Sequence, residues 1–353
     1  MQYFCTLFNS MYMDKGLVLY DSLVSVGCEF TMYLLAMDDD LDKVLREEKL
    51  ERVAIITLDE IMAYEPELVR LKNERKGSEF YWTCSSVLME YVLSNFSIDC
   101  CTYIDADMYF YSDPAKMVEE CGSSVGVMKH RFPAGRYYRL LEAYSGTYCV
   151  EFNTFKNDCH GRQVLSDWKK SCLECCNALG DEKGFGDQRY LDDWDKIYPD
   201  DIYVYEDPGA GIATWNIKDY SLEGNKIFYR GQEIIPIFYH FSGINYADDN
   251  SVTIRVDTTD TVLIRSFYEP YLRKIEEKRD YINDKYGLKL GVSKTGNDPS
   301  VSSQDRDQFK ADIFSLVRHA HFIKAFRKIS DRKFISNYSL NFVKVKFDLQ
   351  ERQ

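Results

Sequence analysis

The sequence lacks any uninterrupted apolar stretch near the ~18 residues that would suggest a membrane span. Its opening, Met1-Gln2-Tyr3-Phe4-Cys5, carries neither the basic segment nor the long apolar segment of a secretory leader. A cytoplasmic location is therefore expected. Positive charge is also scarce: 44 Lys and Arg stand against 57 Asp and Glu, a formal charge of -13. That balance argues against general nucleic-acid binding, which wants a basic footprint, and it means an anionic substrate must be met by local positive charge such as a divalent cation. Glycine is missing from Leu7-Phe8-Asn9-Ser10-Met11-Tyr12, directly after the first apolar run. This weighs against a sugar nucleotidyltransferase, which should carry a glycine-rich phosphate loop there. Cysteine is not scarce, at 11 residues, yet the odd count, the lack of a leader and the large expected core point to reduced thiols. Cys172, Cys175 and Cys176 share helical spacing with Val164, Leu165, Trp168 and Leu179 and read as packing, since no second Cys or His pair stands at finger-like spacing for zinc.

What is present fits one large folded unit with an appendage. The chain has 353 residues and 45% hydrophobic content, enough to bury a sizeable core. Its first third alternates strand and helix patterns: strands over 3–8, 30–36 and 53–57, with helices over 15–26 and 41–49 between them. A helix over 83–95 then leads to a strand over 98–104. This is βαβ logic, predicting an α/β fold with a mixed, mainly parallel sheet flanked by helices. Further strands are expected over 125–128, 148–152 and 235–241, and a long helix over 162–179.

The fourth strand ends in Asp105-Ala106-Asp107. Open α/β sheets place ligands at the carboxyl ends of their strands, and two carboxylates one residue apart suit a hard cation that also holds substrate phosphates. The alternative is that both aspartates cap the turn before Ser112-Asp113-Pro114. The region beyond residue 250 differs: a charged helix over 268–286, a polar linker at about 287–305, then an apolar stripe of Phe309, Ile313, Leu316, Ala320 and Ile323 beside Arg318, Lys324, Arg327 and Lys328. Such a basic amphipathic helix suits either peripheral contact with an anionic membrane, at its inner face, or docking on the main domain. The division is thus 1–250 as catalytic domain and 251–353 as a C-terminal helical region.

Four motifs in order carry a family resemblance: Tyr103-Ile104-Asp105-Ala106-Asp107, Phe152-Asn153-Thr154-Phe155, Gly186-Asp187-Gln188-Arg189-Tyr190-Leu191 and His240-Phe241-Ser242-Gly243. Over roughly residues 1–246 the chain resembles the nucleotide-sugar glycosyltransferases of GT-A (Rossmann-like) fold, in particular the glycogenin-like and bacterial lipopolysaccharide hexosyltransferases, which retain anomeric configuration. The resemblance implies transfer of a hexose from a UDP-sugar to a glycan or glycolipid acceptor, with Mn2+ or Mg2+ held by Asp105, Asp107 and His240. It implies that Asp187 binds hydroxyls of the donor sugar and that Gln188 faces its anomeric carbon. Asn153 resembles a residue that bonds the donor sugar, and Tyr12 one that stacks on uracil. Thr6, Phe8 and Asn9, where the first strand finishes, belong to the expected nucleotide end, and Ala106 lies between the two metal aspartates. Ser85 is expected to face the same crevice, and Gly211, within Gly209–Asn216, to let the backbone approach the donor, with Trp215 either offering an apolar face to a sugar or packing in the core. The pattern departs from the family after His240-Phe241-Ser242-Gly243, where Ile244-Asn245-Tyr246 replaces the usual lysine and tryptophan, and near Ser85, where an arginine is missing. A glycosidase would need its carboxyls ~5 to 9.5 Å apart across a sugar and has no use for His240. A noncatalytic carbohydrate-binding protein is the remaining alternative.

Overall fold

The computed structural model describes residues 1–177, 186–247, 252–258, 260–290, 292–293 and 342–343. The chain opens with β1 (Gln2–Phe8), α1 (Met13–Ser25), β2 (Phe30–Ala36), α2 (Asp39–Glu48) and β3 (Val53–Thr57). Three helices follow, α3 (Leu58–Tyr64), α4 (Glu67–Glu74) and α5 (Ser78–Asn95), and then β4 (Cys100–Ile104) and β5 (Met108–Phe110). After α6 (Ala115–Glu119) come β6 (Val125–Lys129), α7 (Arg136–Ser145), β7 (Tyr148–Lys156) and α8 (Cys159–Glu174). Local chemistry sets several of these boundaries. Asp38 caps α2 by accepting from the Leu41 N–H, Thr57 and Glu60 form a reciprocal capping box at α3, and Asp158 caps α8 through the Gly161 N–H.

Beyond α8 the elements are short: α9 (Trp194–Ile197), β8 (Ile202–Tyr205), β9 (Ile212–Ala213), the ribbon β10 (Tyr220–Glu223), β11 (Lys226–Tyr229) and β12 (Gln232–Ile234), then β13 (Phe238–His240), β14 (Asn245–Ala247) and β15 (Val252–Arg255). The long helix α10 (Thr261–Tyr286) follows.

Seven strands form the central sheet in the order β3-β2-β1-β4-β7-β6-β8. All neighbours are parallel except for β7, which runs antiparallel to both β4 and β6. This is the mainly parallel α/β sheet expected from the alternation of patterns. The chain lays strands outward from β1 to β3 and then returns to the other side of β1, so β1 and β4 border the point where strand order reverses. In open α/β sheets that is where a crevice forms beyond the strand ends. One face of the sheet packs on α5 and α8, with Phe155, Trp168 and Val87 buried among them; the other packs on α1 and α2.

A second, three-stranded sheet, β5-β13-β9, sits beside the first. Its register pairs His240 with Met108, and the Phe241 N–H donates to the Asp107 carbonyl at 2.8 Å. α10 covers this sheet through Tyr268 and Tyr271, the latter stacked on Phe241 at 3.8 Å between centroids. It is also tied to α1 by Arg279, whose Nε donates to the fully buried Asp14 carboxylate at 2.5 Å.

The expected strand over 235–241 is shorter in the structure. Pro236 cannot donate to a ladder and Ile235 is exposed, so β12 ends at Ile234 and only Phe238–His240, β13, of the expected run is strand. The helix expected over 162–179 spans Cys159–Glu174, and Cys172 and Cys176 are buried. The basic stripe from Phe309 onward lies outside the described residues. No helix among the described residues is long and apolar enough to cross a membrane.

Candidate active site

A cavity of about 850 Å³ opens at the carboxyl ends of β1 and β4, bordered by Phe8, Asn9 and Tyr12 from the first and Asp105, Ala106 and Asp107 from the second. Asp187, Gln188 and His240 border it as well. The nine residues just named, all singled out from sequence, therefore meet at one cavity although they come from segments far apart in the chain.

The metal-type cluster is compact. Ligand atoms of Asp105, Asp107 and His240 all lie within 4.8 Å of one another. His240 Nε2 is 3.0 Å from Asp107 Oδ1 and 3.7 Å from Asp105 Oδ2. The other ring nitrogen, Nδ1, is 2.6 Å from Glu151 Oε2. A carboxylate only accepts, so this contact puts the Nδ1 proton on Glu151's side and leaves Nε2 to face the aspartates. Two carboxylates and one imidazole are a donor set suited to manganese or magnesium, so the residues present fit such an ion.

The electrostatics agree with a site built for positive charge. Burial alone would lower the His240 pKa, but Asp107 opposes burial and the imidazole is held well above its usual value. Burial would raise Asp107, yet His240 and then Lys15 outweigh it and the carboxyl sits below its usual range. Asp105 goes the other way: burial pushes it up to about 6, with the neighbouring Asp107 and Glu151 adding to the rise against His240. A second grouping, Cys149, Glu151 and His240, also falls within 4.8 Å. Its thiol is pushed up to about 12 by burial, so it is a poor ligand beside the two aspartates.

Asp187 is 5% exposed and accepts from Ser85 Oγ at 2.8 Å, while its own carbonyl accepts from Trp168 Nε1 at 2.9 Å. Burial pushes its carboxyl up to about 7, which the Ser85 hydrogen bond only partly offsets. Gln188 donates from Nε2 to the Ser145 carbonyl at 2.6 Å, leaving the amide oxygen for another partner. Asn9 donates to the Tyr81 hydroxyl at 2.9 Å.

Four expected residues lie behind the cavity wall. Ser85 reaches it only through Asp187. Asn153 is fully buried opposite Tyr103 on β4, and neither polar atom of its amide has a partner among the described residues. Thr6 is fully buried with its hydroxyl unpartnered. Gly211, at φ +65°, is packed so that a Cβ there would come 2.8 Å from Glu151 Oε1. The glycine is required at this spot by both conformation and space.

Sequence reasoning marked Trp215, which borders the cavity as expected, but missed Glu151 and the rest of the aromatic wall. Glu151 carried a usable signal, since a carboxyl inside the apolar run Tyr148–Phe155 must find a buried partner. The wall has no local signature: Trp215 lies edge-on to His240 at 5.2 Å, His130 edge-on to Trp215 at 5.3 Å, and Phe132 stacked on His130 at 4.8 Å. Tyr137 and Tyr138 continue the lining. The His130 carbonyl accepts from both Trp215 Nε1 and Asn216 Nδ2, fixing this wall against the Gly209–Asn216 turn.

The fold and site define an α/β protein with a metal-type triad at the mouth of its sheet. The chain belongs to the family of YfnF, a Bacillus subtilis (strain 168) protein of uncharacterized activity, being 31% identical to it over 285 residues that cover 77% of this chain and 92% of YfnF. YfnD of the same organism, likewise uncharacterized, is 26% identical over 296 residues, 80% of this chain and 92% of that one. No family model matches the sequence. Among solved structures the chain is similar to the galactosyltransferase LgtC in complex with donor and acceptor sugar analogs, at 12% identity and TM-score 0.48, over 78% of this chain and 96% of LgtC. It is also similar to mouse xyloside xylosyltransferase 1, at 12% identity and TM-score 0.46, over 68% and 97% of the two chains.

Proposed function

We propose that this protein is a glycosyltransferase of GT-A type that moves a hexose from a UDP-sugar to a glycan or lipid-linked acceptor, with residues 1–250 carrying the catalytic groups. The observation that carries the reading is the meeting of Asp105, Asp107 and His240 with Asp187 and Gln188 in one cavity at the switch point of the sheet. A divalent ion held by the triad would supply the positive charge that a leaving diphosphate needs.

The rest of the chemistry falls to the chain itself. Phe8, Asn9 and Tyr12 line the nucleotide end, where Tyr12 offers an aromatic face to a flat base. Asp187, held by Ser85 and Trp168, would bind sugar hydroxyls. Gln188, anchored by Ser145, would direct its amide oxygen at the anomeric carbon. A neutral amide is a weak nucleophile, so front-face attack through an oxocarbenium-like state, with retention and with the departing phosphate accepting the acceptor's proton, is favoured over a covalent intermediate. On the far side of Trp215, the faces of Phe132, Tyr137 and Tyr138 suit the ring of an acceptor sugar.

Donor turnover tests the reading. The purified protein incubated with UDP-hexoses should release UDP when Mn2+ is present and far less after chelation. Release of pyrophosphate from a nucleotide triphosphate and a sugar phosphate would instead establish a nucleotidyltransferase, and donor binding without any turnover a carbohydrate-binding protein.

A further inference from the structure

Lys15 stands in the first turn of α1 and is only 6% exposed. Among the described residues, no carboxylate lies within 4 Å of its ammonium. The acid next to it in sequence, Asp14, is committed elsewhere: Arg279 holds one oxygen at 2.5 Å and the Lys15 backbone N–H holds the other at 2.8 Å. The ammonium rests instead on a face of Tyr12, 3.6 Å from the ring centroid, and its charge acts on Asp107. Tyr12 and Asp107 both border the cavity.

Drawing an ammonium largely out of water is costly, and a cation–π contact returns only part of that cost. A mostly buried lysine with no anion in contact, acting on Asp107 only across a distance, is therefore a cost to the fold, of the kind retained where an anionic ligand repays it. Four aspartates border the cavity, Asp105, Asp107, Asp187 and Asp257, and make the mouth of the sheet acidic, so an anion there needs more than one source of positive charge. The N-terminus of α1, a helix of 13 residues, adds its partial positive charge on the same side.

We propose that Lys15 is a phosphate-binding residue, supplying a protein-borne positive charge to the diphosphate of the donor while its stem and the Tyr12 ring brace one another. The proposal rests on the nucleotide-sugar reading above. One face of Tyr12 is taken by Lys15, so a base stacks on the other. Affinity should then depend on the phosphates rather than on the base alone.

Calorimetric titration of the full chain with UDP and, separately, with uridine, both with Mn2+, tests this. Replacing Lys15→Met keeps the stem and removes the charge. It should weaken UDP binding tenfold or more, as expected for loss of a charged hydrogen bond, and change uridine binding less than twofold. Lys15→Arg should keep most of the UDP affinity. Without ligand, Lys15→Met should melt at a higher temperature than the parent, because a mostly buried charge with no contacting anion is gone; a purely structural lysine would give a lower one. Unchanged UDP binding in Lys15→Met, equal loss for UDP and uridine, or a lowered melting temperature each overturns the proposal while leaving the transferase reading intact. A parent protein that binds neither UDP nor UDP-hexose overturns the donor reading itself and Lys15's role with it.

Discussion

Glu151 Oε2 lies 2.6 Å from His240 Nδ1, and this single contact decides which imidazole nitrogen is left for the aspartates. Glu151 is fully buried on β7, and β7 is the one antiparallel strand of the large sheet, so the orienting group and the imidazole come from different sheets. Removing such a partner typically costs 10- to 100-fold in metal affinity. Glu151→Ala should therefore weaken Mn2+ binding by about that factor, read by titration with electron paramagnetic resonance, and Glu151→Gln, which can still accept the Nδ1 proton, by less.

Asp107 carries the closest oxygen to His240 Nε2 and the lower pKa of the aspartate pair. Asp107→Asn keeps volume and removes the charge. UDP release from a UDP-hexose should fall by about 100-fold or more, with the circular dichroism spectrum unchanged. Near-normal metal-dependent release in this variant would count heavily against the assignment.

Asp187 gives a pH dependence of definite sign. Its folded pKa of about 7 lies above the ordinary carboxyl value of 3.8, so the folded state holds the proton more tightly than the unfolded chain between those limits. Stability from this group is fully present below pH ~4 and is lost as pH rises through about 7, a span worth at most ~4 kcal/mol. Asp187→Asn should remove that dependence. Urea unfolding at pH 4.5 and 8 should show the variant gaining stability relative to the parent at the higher pH; parallel pH profiles would refute the assignment.

Arg279 pairs with an Asp14 side chain that is wholly buried, joining α10 to α1. Arg279→Ala leaves a buried carboxylate without its partner, which typically costs about 3 to 5 kcal/mol. Urea denaturation should detect the loss. A double replacement with Asp14→Asn should recover much of it, since the stranded charge is then gone.

Most of the strand and helix alternation before residue 105 was legible because it rests on local apolar runs: β1 and β2 are buried almost throughout and α5 along much of its length, whereas the short helices α3 and α4 were not marked. Asp105 and Asp107 were legible as well, since acid at the end of an apolar run is a local anomaly. The ribbon before His240 was harder to read, because an apolar run with a proline inside it has no single periodicity.

The sequence by itself determined the parallel sheet, the acidic strand end and the scarcity of positive charge. Tertiary structure decided the pairing of His240 with Asp107 across 133 positions, the choice of imidazole nitrogen by Glu151 and the stranding of Lys15 beside Tyr12. The reason is physical: periodicity and capping act within a few residues and are written locally, whereas a register between sheets and the burial of one charge against another exist only after the chain has closed upon itself.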